Sequence, residues 1–244
     1  MILAFTLISK NPVNLPLSYN YFVQSMFYKL LYEKVPWLHD KGFEYMKRNF
    51  RLFTFSKIFS REFKIKKTDI IFNSPIKIFF SSPMKKITNE LANSVLKNDK
   101  LFIGRNELFI SEVVAISKNT ENDEVIVKTL SPITVYRTSK DKKTIYYTPD
   151  QKEFQELINQ NLYKKAQILG VPFSENLSIE PIDCKKRATN YKNFFIQCWE
   201  GKFKLKGNRE IINIAFETGI GAKNSQGFGM IVSEDFKIWN SIRI

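Results

Sequence analysis

Four glycines around a polar centre form the densest chemical signature in the chain. The chain has nine glycines, and these four lie within eleven residues as two Gly-x-Gly pairs. The glycines are Gly219, Gly221, Gly227 and Gly229, and the polar residues between the pairs include Lys223, Asn224 and Ser225. Glycine admits positive φ and lets another backbone approach closely. Exposed N–H groups beside a lysine are a natural cradle for phosphate, so the segment predicts a phosphate-binding loop.

The order of elements around this loop differs from that of the familiar phosphate-binding motifs. Helical residues 210–216 precede it and an apolar run, 228–232, follows it. Dinucleotide-binding and P-loop motifs have the strand first and the helix second. The alternative is that Gly219 is a helix C-cap followed by a turn. Four glycines around one polar centre favour a ligand.

The string GIGAKNSQGFGMI, residues 219–231, resembles the C-terminal glycine-rich loop of the repeat-associated (RAMP) superfamily of CRISPR proteins. It is most similar to the loop of the endoribonucleases that cut precursor CRISPR RNA at its repeats, the CRISPR-associated protein six family. Both glycine pairs, the Lys-Asn-Ser between them and the Phe in the second pair agree. The resemblance implies an endoribonuclease whose partner is CRISPR repeat RNA, the pre-crRNA.

His39 is the only histidine of the chain. A pair of imidazoles acting as acid and base is therefore impossible, and a metal site built mainly on imidazoles is excluded. If the protein cuts RNA, we expect it to use the RNA's own 2′-OH as nucleophile, without a metal or another cofactor. The products would be a 2′,3′-cyclic phosphate and a 5′-OH. Histidine, with an ordinary pKa of about 6.5, suits protonation of the departing 5′-oxygen.

The resemblance places a catalytic tyrosine on the first helix and a catalytic histidine just after it. Tyr28 and His39 occupy these positions. On one straight helix the two residues would lie about 16 Å apart, too far to share a phosphate. The prediction therefore requires a break at Pro36. The alternatives are that His39 is a surface residue and that Tyr28 is part of the core.

The family also has a catalytic lysine at the start of the next strand. This chain has Arg51 there, with extra residues between Gly42 and Arg51. Lys41 and Lys47 are therefore alternatives for the cation that stabilises the developing negative charge.

Two basic clusters are predicted to contact RNA. The first comprises Lys57, Arg61, Lys64, Lys66 and Lys67, and the second comprises Lys185, Lys186 and Arg187. Phe59 and Phe63 alternate with the first cluster, which favours base stacking or a groove lining over a merely solvated face.

The charge of the whole chain agrees with a nucleic-acid partner. Its net charge is +14 and its pI about 9.6. A protein this basic binds polyanions with release of counterions, so nucleic acid comes first and an anionic membrane surface second. Residues 1–120 carry 19 Lys+Arg against 9 Asp+Glu, and residues 121–244 carry 19 against 15. We expect the first half to carry more of the electrostatic footprint.

Neither a membrane segment nor a disulfide is predicted. The apolar residues 1–9 lack a basic n-region and a cleavage site, and a span needs about 20 residues. Cys184 and Cys198 form no Cys-x-x-Cys pair, which favours a reducing cytoplasm. We therefore expect a cytoplasmic protein that does not contact membranes.

Hydrophobic periodicity predicts two βαββαβ units, an α+β fold of tandem ferredoxin-like (RRM-like) domains. The first unit, residues 1–120 with the catalytic residues, has strands at 2–8, 51–57, 70–80 and 101–116. Its helices are predicted from about 19 to the break at Pro36 and at 84–96, and residues 11–16 as a turn-rich connector. The second unit, residues 121–244 with the glycine loop, has strands at 124–130, 177–181, 191–205 and 228–232, and helices at 149–169 and 208–216. The polar residues 118–123 are the predicted boundary.

Two other functions remain open at this point. A non-catalytic repeat-RNA-binding subunit of a CRISPR surveillance complex would share the fold and the loop. A generic single-stranded RNA-binding protein is the weaker alternative, because the RNA-binding signature of RRM strands is missing. The resemblance also admits other CRISPR-associated proteins of an effector complex, or a second copy of the chain, as partners.

Overall fold

The computed structural model describes residues 1–117, 119–192 and 194–239. Lys118, the first residue of the predicted boundary, lies outside them. The elements of the N-terminal half are β1 (Ile2–Ile8), β2 (Val13–Pro16), α1 (Asn20–Tyr32), α2 (Pro36–Asp40), β3 (Phe43–Tyr45), β4 (Arg48–Phe50), β5 (Thr54–Phe55), β6 (Phe59–Ser60), β7 (Phe63–Ile65), β8 (Asp69–Phe72), β9 (Ile76–Ser81), α3 (Lys85–Lys97), β10 (Leu101–Ile103) and β11 (Asn106–Ile116). Those of the C-terminal half are β12 (Glu124–Thr129), β13 (Tyr136–Thr138), β14 (Thr144–Tyr146), α4 (Lys152–Leu169), β15 (Ser178–Tyr191), β16 (Phe194–Lys206), α5 (Arg209–Thr218), a 3₁₀ turn (Asn224–Gln226) and β17 (Ile231–Ser233).

The N-terminal sheet is antiparallel and has β1 at its centre, between β11 and β9. The main strands β11, β1, β9 and β5 lie side by side in this order, which is the ferredoxin-like order 4-1-3-2, and α1 and α3 form its crossovers. The β1 sequence ILAFTLI is apolar on both faces because both faces are covered. Leu3, Phe5 and Leu7 pack with the two helices, whereas Ile2 and Ala4 face residues of the C-terminal half.

The C-terminal sheet repeats this order. Strands β17, β12, β16 and β15 lie side by side, and α4 and α5 are the crossovers. Apolar residues of both helices and of β12 and β16 form its core, with Phe154 stacked on Phe203. The predicted α+β fold with two ferredoxin-like βαββαβ units is confirmed.

The hairpin of β15 and β16 is longer than predicted. The sequence predicts separate strands at 177–181 and 191–205, but pairing runs from Ser178 opposite Lys206 to Tyr191 opposite Phe194, with one irregularity between Pro181 and Asp183. Most of β15 is exposed, so its sequence shows no apolar alternation. The β15 strand is therefore held mainly by its cross-strand hydrogen bonds to β16, whereas β16 also contributes buried Phe203 and Leu205 to the core.

Two more predicted segments differ from the structure. Residues 11–16 contain a strand, β2, which pairs with β8 through buried Val13 and Leu15. The predicted strand 51–57 is reduced to Thr54–Phe55, because Leu52 has a φ of +49° and residues 51–53 connect the β3–β4 hairpin to the sheet.

Candidate active site

Tyr28 and His39 are brought together by a break between two helices. α1 ends at Tyr32, and α2 begins with Pro36, which suits the first turn of a helix because its missing N–H would be unpaired there anyway. The chain turns back, and the two rings lie edge to face with their centroids 5.0 Å apart. The separation of about 16 Å that a straight helix would impose is thereby avoided.

His39 lies at an open position. Its Nδ1 is 2.8 Å from Oδ1 of Asp40, and the two side chains are 59% and 66% exposed. Because Asp40 occupies Nδ1, Nε2 is the nitrogen left for a substrate. The sequence analysis missed Asp40, although an acidic residue next to the only histidine is a visible signal.

Arg51 stabilises the segment that carries His39 through hydrogen bonds to its backbone. Its guanidinium donates from Nη1 to the Lys41 carbonyl and from Nη2 to the His39 carbonyl, both at 2.9 Å. These carbonyls lie at the C-terminal end of α2, where a cation is favoured by the helix dipole. Of the three predicted cations, Arg51 is the one that also interacts with the Tyr28 hydroxyl. Lys41 supplies a carbonyl, and Lys47 lies exposed in the turn between β3 and β4.

The Tyr28 hydroxyl interacts with Arg51 and with Ser225 of the glycine loop. Burial raises the pKa of Tyr28, and both neighbours act in the opposite direction. The phenol therefore stays protonated near neutral pH and can donate or accept a hydrogen bond. Tyr28 and Arg51 belong to the N-terminal half and Ser225 to the C-terminal half, so these interactions join the two halves of the chain.

Several backbone N–H groups of the glycine loop, residues 219–229, are already bonded to protein carbonyls. The N–H groups of Gly219, Gly227 and Gly229 donate to the carbonyls of Ala215, Asn224 and Pro132 at 2.8–3.0 Å. All four glycines are buried. These three amides are therefore not the exposed phosphate cradle that the sequence suggested, because protein carbonyls already occupy them.

Close packing explains why glycine stands at these positions. Gly227 and Gly229 have φ values of +82° and +75°. A Cβ on Gly229 would lie 1.9 Å from the Ile220 carbonyl oxygen, and one on Gly227 would lie 2.5 Å from the ring of Phe55. The loop is thus a tightly packed part of the junction between the halves.

One face of α1 holds the loop. Asn20 donates to the Gln226 and Gly227 carbonyls at 3.0 and 3.1 Å, and Gln24 donates to the Ser225 carbonyl at 2.6 Å. Asn20, Gln24 and Tyr28 follow one another at intervals of four residues, so they share this face. The loop therefore supports the helix that presents Tyr28.

A buried lysine lies beneath the loop. Lys165 of α4 is 3% exposed, and its Nζ donates to the Gly219 carbonyl and to Oδ1 of Asn224, both at 2.7 Å. Burial lowers the pKa of Lys165 to about 7. Asn224 in turn donates to the Ile220 and Phe228 carbonyls, both at 3.0 Å, and thereby ties the two ends of the loop together. Lys165 is not among the predicted site residues, because it is one of two adjacent lysines and a lysine is rarely buried.

The predicted basic residues occupy three kinds of environment. Lys57 and Arg187 both pair with Glu200, at 2.8 and 3.5 Å, and the Lys57 pair joins the two halves. Lys223 is half-buried, with its Nζ 5.5 Å from the centre of the Tyr136 ring, and burial lowers its pKa. The remaining cations are exposed on β7, on the turns beside it and on β15, and they are Arg61, Lys64, Lys66, Lys67, Lys185 and Lys186.

A groove of about 840 Å³ opens beside Tyr28 and His39. Its lining includes residues that the sequence analysis did not select, namely Tyr21, Lys29, Tyr32, Lys100, Phe102 and Lys192. They come from α1, from β10 and the residue before it, and from the tip of the β15–β16 hairpin, and only the fold brings them together. Within the described ranges, His, Cys, Asp and Glu side chains form no group of three that could hold a metal ion. No helix in the described part of the chain is long and apolar enough to cross a membrane.

The chain is similar to known proteins over most of its length. A family model described as the N-terminal part of CRISPR-associated protein Cas6 matches residues 14–114, and one described as the C-terminal part of the same protein matches residues 115–232. The CRISPR-associated endoribonuclease Cas6 1 of Methanocaldococcus jannaschii is 29% identical over 231 residues, which cover 91% of this chain and 89% of that protein. The CRISPR-associated endoribonuclease Cas6 of Pyrococcus furiosus is 25% identical over 230 residues, with coverage of 91% and 84%.

Solved structures agree with these matches. A structure described as CRISPR associated protein Cas6 superposes with a TM-score of 0.79 at 25% identity, over 96% of this chain and 98% of that one. The two family models together span residues 14–232. The chain belongs to the Cas6 family of CRISPR-associated proteins.

Proposed function

We propose that this protein is an endoribonuclease that cleaves CRISPR precursor RNA within its repeats. The observation that carries the proposal is the meeting of Tyr28, His39 and Arg51 at the edge of an open groove. The similar proteins of M. jannaschii and P. furiosus are both named CRISPR-associated endoribonucleases, which supports the same substrate class here.

The reaction is a transesterification within the RNA. The 2′-OH loses its proton to solvent water as its oxygen attacks the adjacent phosphorus, the new P–O2′ bond closes a 2′,3′-cyclic phosphate, and the P–O5′ bond breaks. His39 donates a proton from Nε2 to the departing 5′-oxygen. Tyr28, protonated because burial raises its pKa, orients the 2′-OH. Arg51 keeps N–H donors beyond those bound to carbonyls, and these stabilise the charge that develops on the phosphate oxygens.

We further propose that the halves 1–120 and 121–244 act as two domains that hold the RNA backbone with basic residues of both. The exposed lysines of β7 and β15 are the contacts expected for this role. The glycine loop then acts mainly by fixing the junction and Tyr28. Lys223 and Ser225 remain its candidates for direct contact with RNA, because their side chains are not fully buried.

Labelled repeat RNA incubated with the protein in EDTA tests the function. We expect cleavage in EDTA, products with 2′,3′-cyclic phosphate and 5′-OH ends, and no cleavage when the scissile nucleotide is 2′-deoxy. His39→Ala should bind the RNA normally and cleave it about 10²–10⁴-fold more slowly, the usual contribution of a general acid.

Two results would contradict the proposal. If His39→Ala cleaves at the normal rate, or if EDTA abolishes cleavage, the mechanism is wrong. If the unmodified protein binds repeat RNA and its 2′-deoxy form and cuts neither, the protein is instead a non-catalytic repeat-RNA-binding subunit.

A further inference from the structure

The groove beside Tyr28 and His39 extends well past the reacting groups. It runs between α1 and β10, and the tip of the β15–β16 hairpin forms its far wall through Lys192. The hairpin tip is anchored there, because the Tyr191 hydroxyl donates to Oε1 of Gln24 and the Tyr191 and Tyr21 rings meet edge to face at 6.3 Å. The mechanism above uses none of this part, which we call the outer groove. It is lined by Tyr21, Lys29, Tyr32, Glu33, Lys100, Phe102 and Lys192.

Cations alternate with aromatic rings along the outer groove. The Nζ of Lys29 lies 5.9 Å from the centre of the Phe102 ring, and that of Lys192 lies 5.0 Å from the centre of the Tyr21 ring. Lys100 also lines the groove and pairs with Glu107 at 3.0 Å.

Among the described lining residues, Glu33 is the one carboxylate against three lysines. The outer groove therefore attracts anions.

The aromatic rings of the outer groove are open to solvent. Phe102 is 45% exposed, Tyr21 41% and Tyr32 61%. Large apolar rings on a surface, interleaved with lysines, are the arrangement that binds single-stranded nucleic acid by base stacking and phosphate contacts. The volume of about 840 Å³ lies within the range of small-molecule sites, roughly 300–1,000 Å³, which suits a few unpaired nucleotides.

We propose that the outer groove is a subsite for the unpaired nucleotides that adjoin the scissile phosphate. Phe102 stacks on a base, with Tyr21 and Tyr32 as further platforms, and Lys29 and Lys192 hold the flanking phosphates. The subsite rests on the cleavage function proposed above, because its position is defined by its continuity with Tyr28 and His39.

Binding of uncleavable repeat RNA, 2′-deoxy at the scissile nucleotide, tests the subsite. We expect Phe102→Ala to weaken binding about tenfold, the effect of losing one base–aromatic stack. Lys29→Gln should lower the slope of log K against log salt concentration by about 0.7, the value for one phosphate of a single strand. Tyr163→Ala and Lys152→Gln are matched controls, since Tyr163 is 40% exposed and Lys152 is exposed, both on α4.

RNAs shortened on either side of the scissile phosphate locate the contact. The loss of affinity caused by Phe102→Ala should disappear with the RNA shortened on one side of the scissile phosphate. It should remain with the RNA shortened on the other side. The proposal is overturned if Phe102→Ala and Lys29→Gln bind like their controls, or if the Phe102→Ala effect persists with both shortened RNAs. Because these RNAs cannot be cut, the measurements report on the groove even if the unmodified protein proves unable to cleave.

Discussion

At the scale of single residues, Arg51 has two roles that a lysine could not combine. Its planar guanidinium binds the carbonyls of His39 and Lys41 and also reaches the Tyr28 hydroxyl. A lysine offers a point charge without this fork. We therefore propose Arg51 both as the cation of the site and as the support of the segment that carries the proposed acid.

We predict that Arg51→Met lowers the rate of RNA cleavage about 100-fold or more, because the site loses a fixed cation and the support of His39. Arg51→Lys should restore only part of the rate, since it replaces the charge and not the paired hydrogen bonds. Single-turnover cleavage of repeat RNA measures both.

The matched controls are the other two predicted cations. Lys41→Ala and Lys47→Ala should stay within about threefold of the normal rate, because Lys41 acts on Arg51 through its backbone carbonyl and Lys47 is exposed in a turn. A larger loss in either variant than in Arg51→Met would assign the cationic role to that lysine.

At the scale of elements, the glycine loop is specified by tight packing more than by backbone freedom. Gly170 and Gly229 have similar positive φ values, +68° and +75°, but their surroundings differ. A Cβ on Gly170 would meet nothing within 4 Å, whereas one on Gly229 would lie 1.9 Å from the Ile220 carbonyl oxygen. Substitution of these two glycines therefore separates the effect of a positive φ from the effect of tight packing.

We predict that Gly170→Ala destabilises the protein by about 1–2 kcal/mol, the cost of placing an alanine in the left-handed region. Gly229→Ala should cost about 1–3 kcal/mol more, as an overpacked core does, because the loop must move. It should also slow cleavage, since Ser225 then moves away from Tyr28. Urea unfolding and cleavage by the folded protein measure the two effects. Equal destabilisation by both substitutions would mean that the loop is less constrained than the packing indicates.

Some helices and strands could be predicted from the sequence and others could not. Strongly periodic or wholly apolar segments such as β1 and α1 are visible in the sequence, because burial imposes their pattern. The extension of β15 beyond residue 181 and the β3–β4 hairpin are not, because their side chains are largely exposed and hydrogen bonds between strands sustain them. Proximity of Tyr28 to His39 followed from the break at Pro36, but the choice of Arg51 over Lys41 and Lys47 depends on tertiary contacts.

At the scale of the whole molecule, the two halves share a buried interface. Ile2, Ala4 and Phe79 of the first sheet pack against Leu130, Met230 and Val232 of the second half. The glycine loop forms another part of the junction and rests on Lys165. The stability of the chain should therefore respond to the charge of this one buried amine.

Burial lowers the pKa of Lys165 to about 7, from 10.5. Below pH 7 the amine is charged in both the folded and the unfolded state, and the full cost of burying a charge is present. Between about pH 7 and the unfolded pKa, the unfolded state binds one more proton than the folded state. The free energy of unfolding therefore rises with pH in this window, by up to about 1.4 kcal/mol per pH unit. The neutral amine still donates its two hydrogens to the two acceptors at 2.7 Å.

Lys165→Met tests this origin of the pH dependence, because methionine fills a similar volume and does not titrate. The difference in the free energy of unfolding between the unmodified protein and Lys165→Met should change with pH from 7 to 9, in favour of the unmodified protein as pH rises. Lys152→Met, which removes an exposed lysine of the same helix, should give a constant difference. Urea unfolding at pH 6, 7, 8 and 9 measures all three proteins. Parallel curves for the unmodified protein and Lys165→Met would mean that Lys165 stays charged in the folded state, with its carbonyl contacts compensating the loss of water.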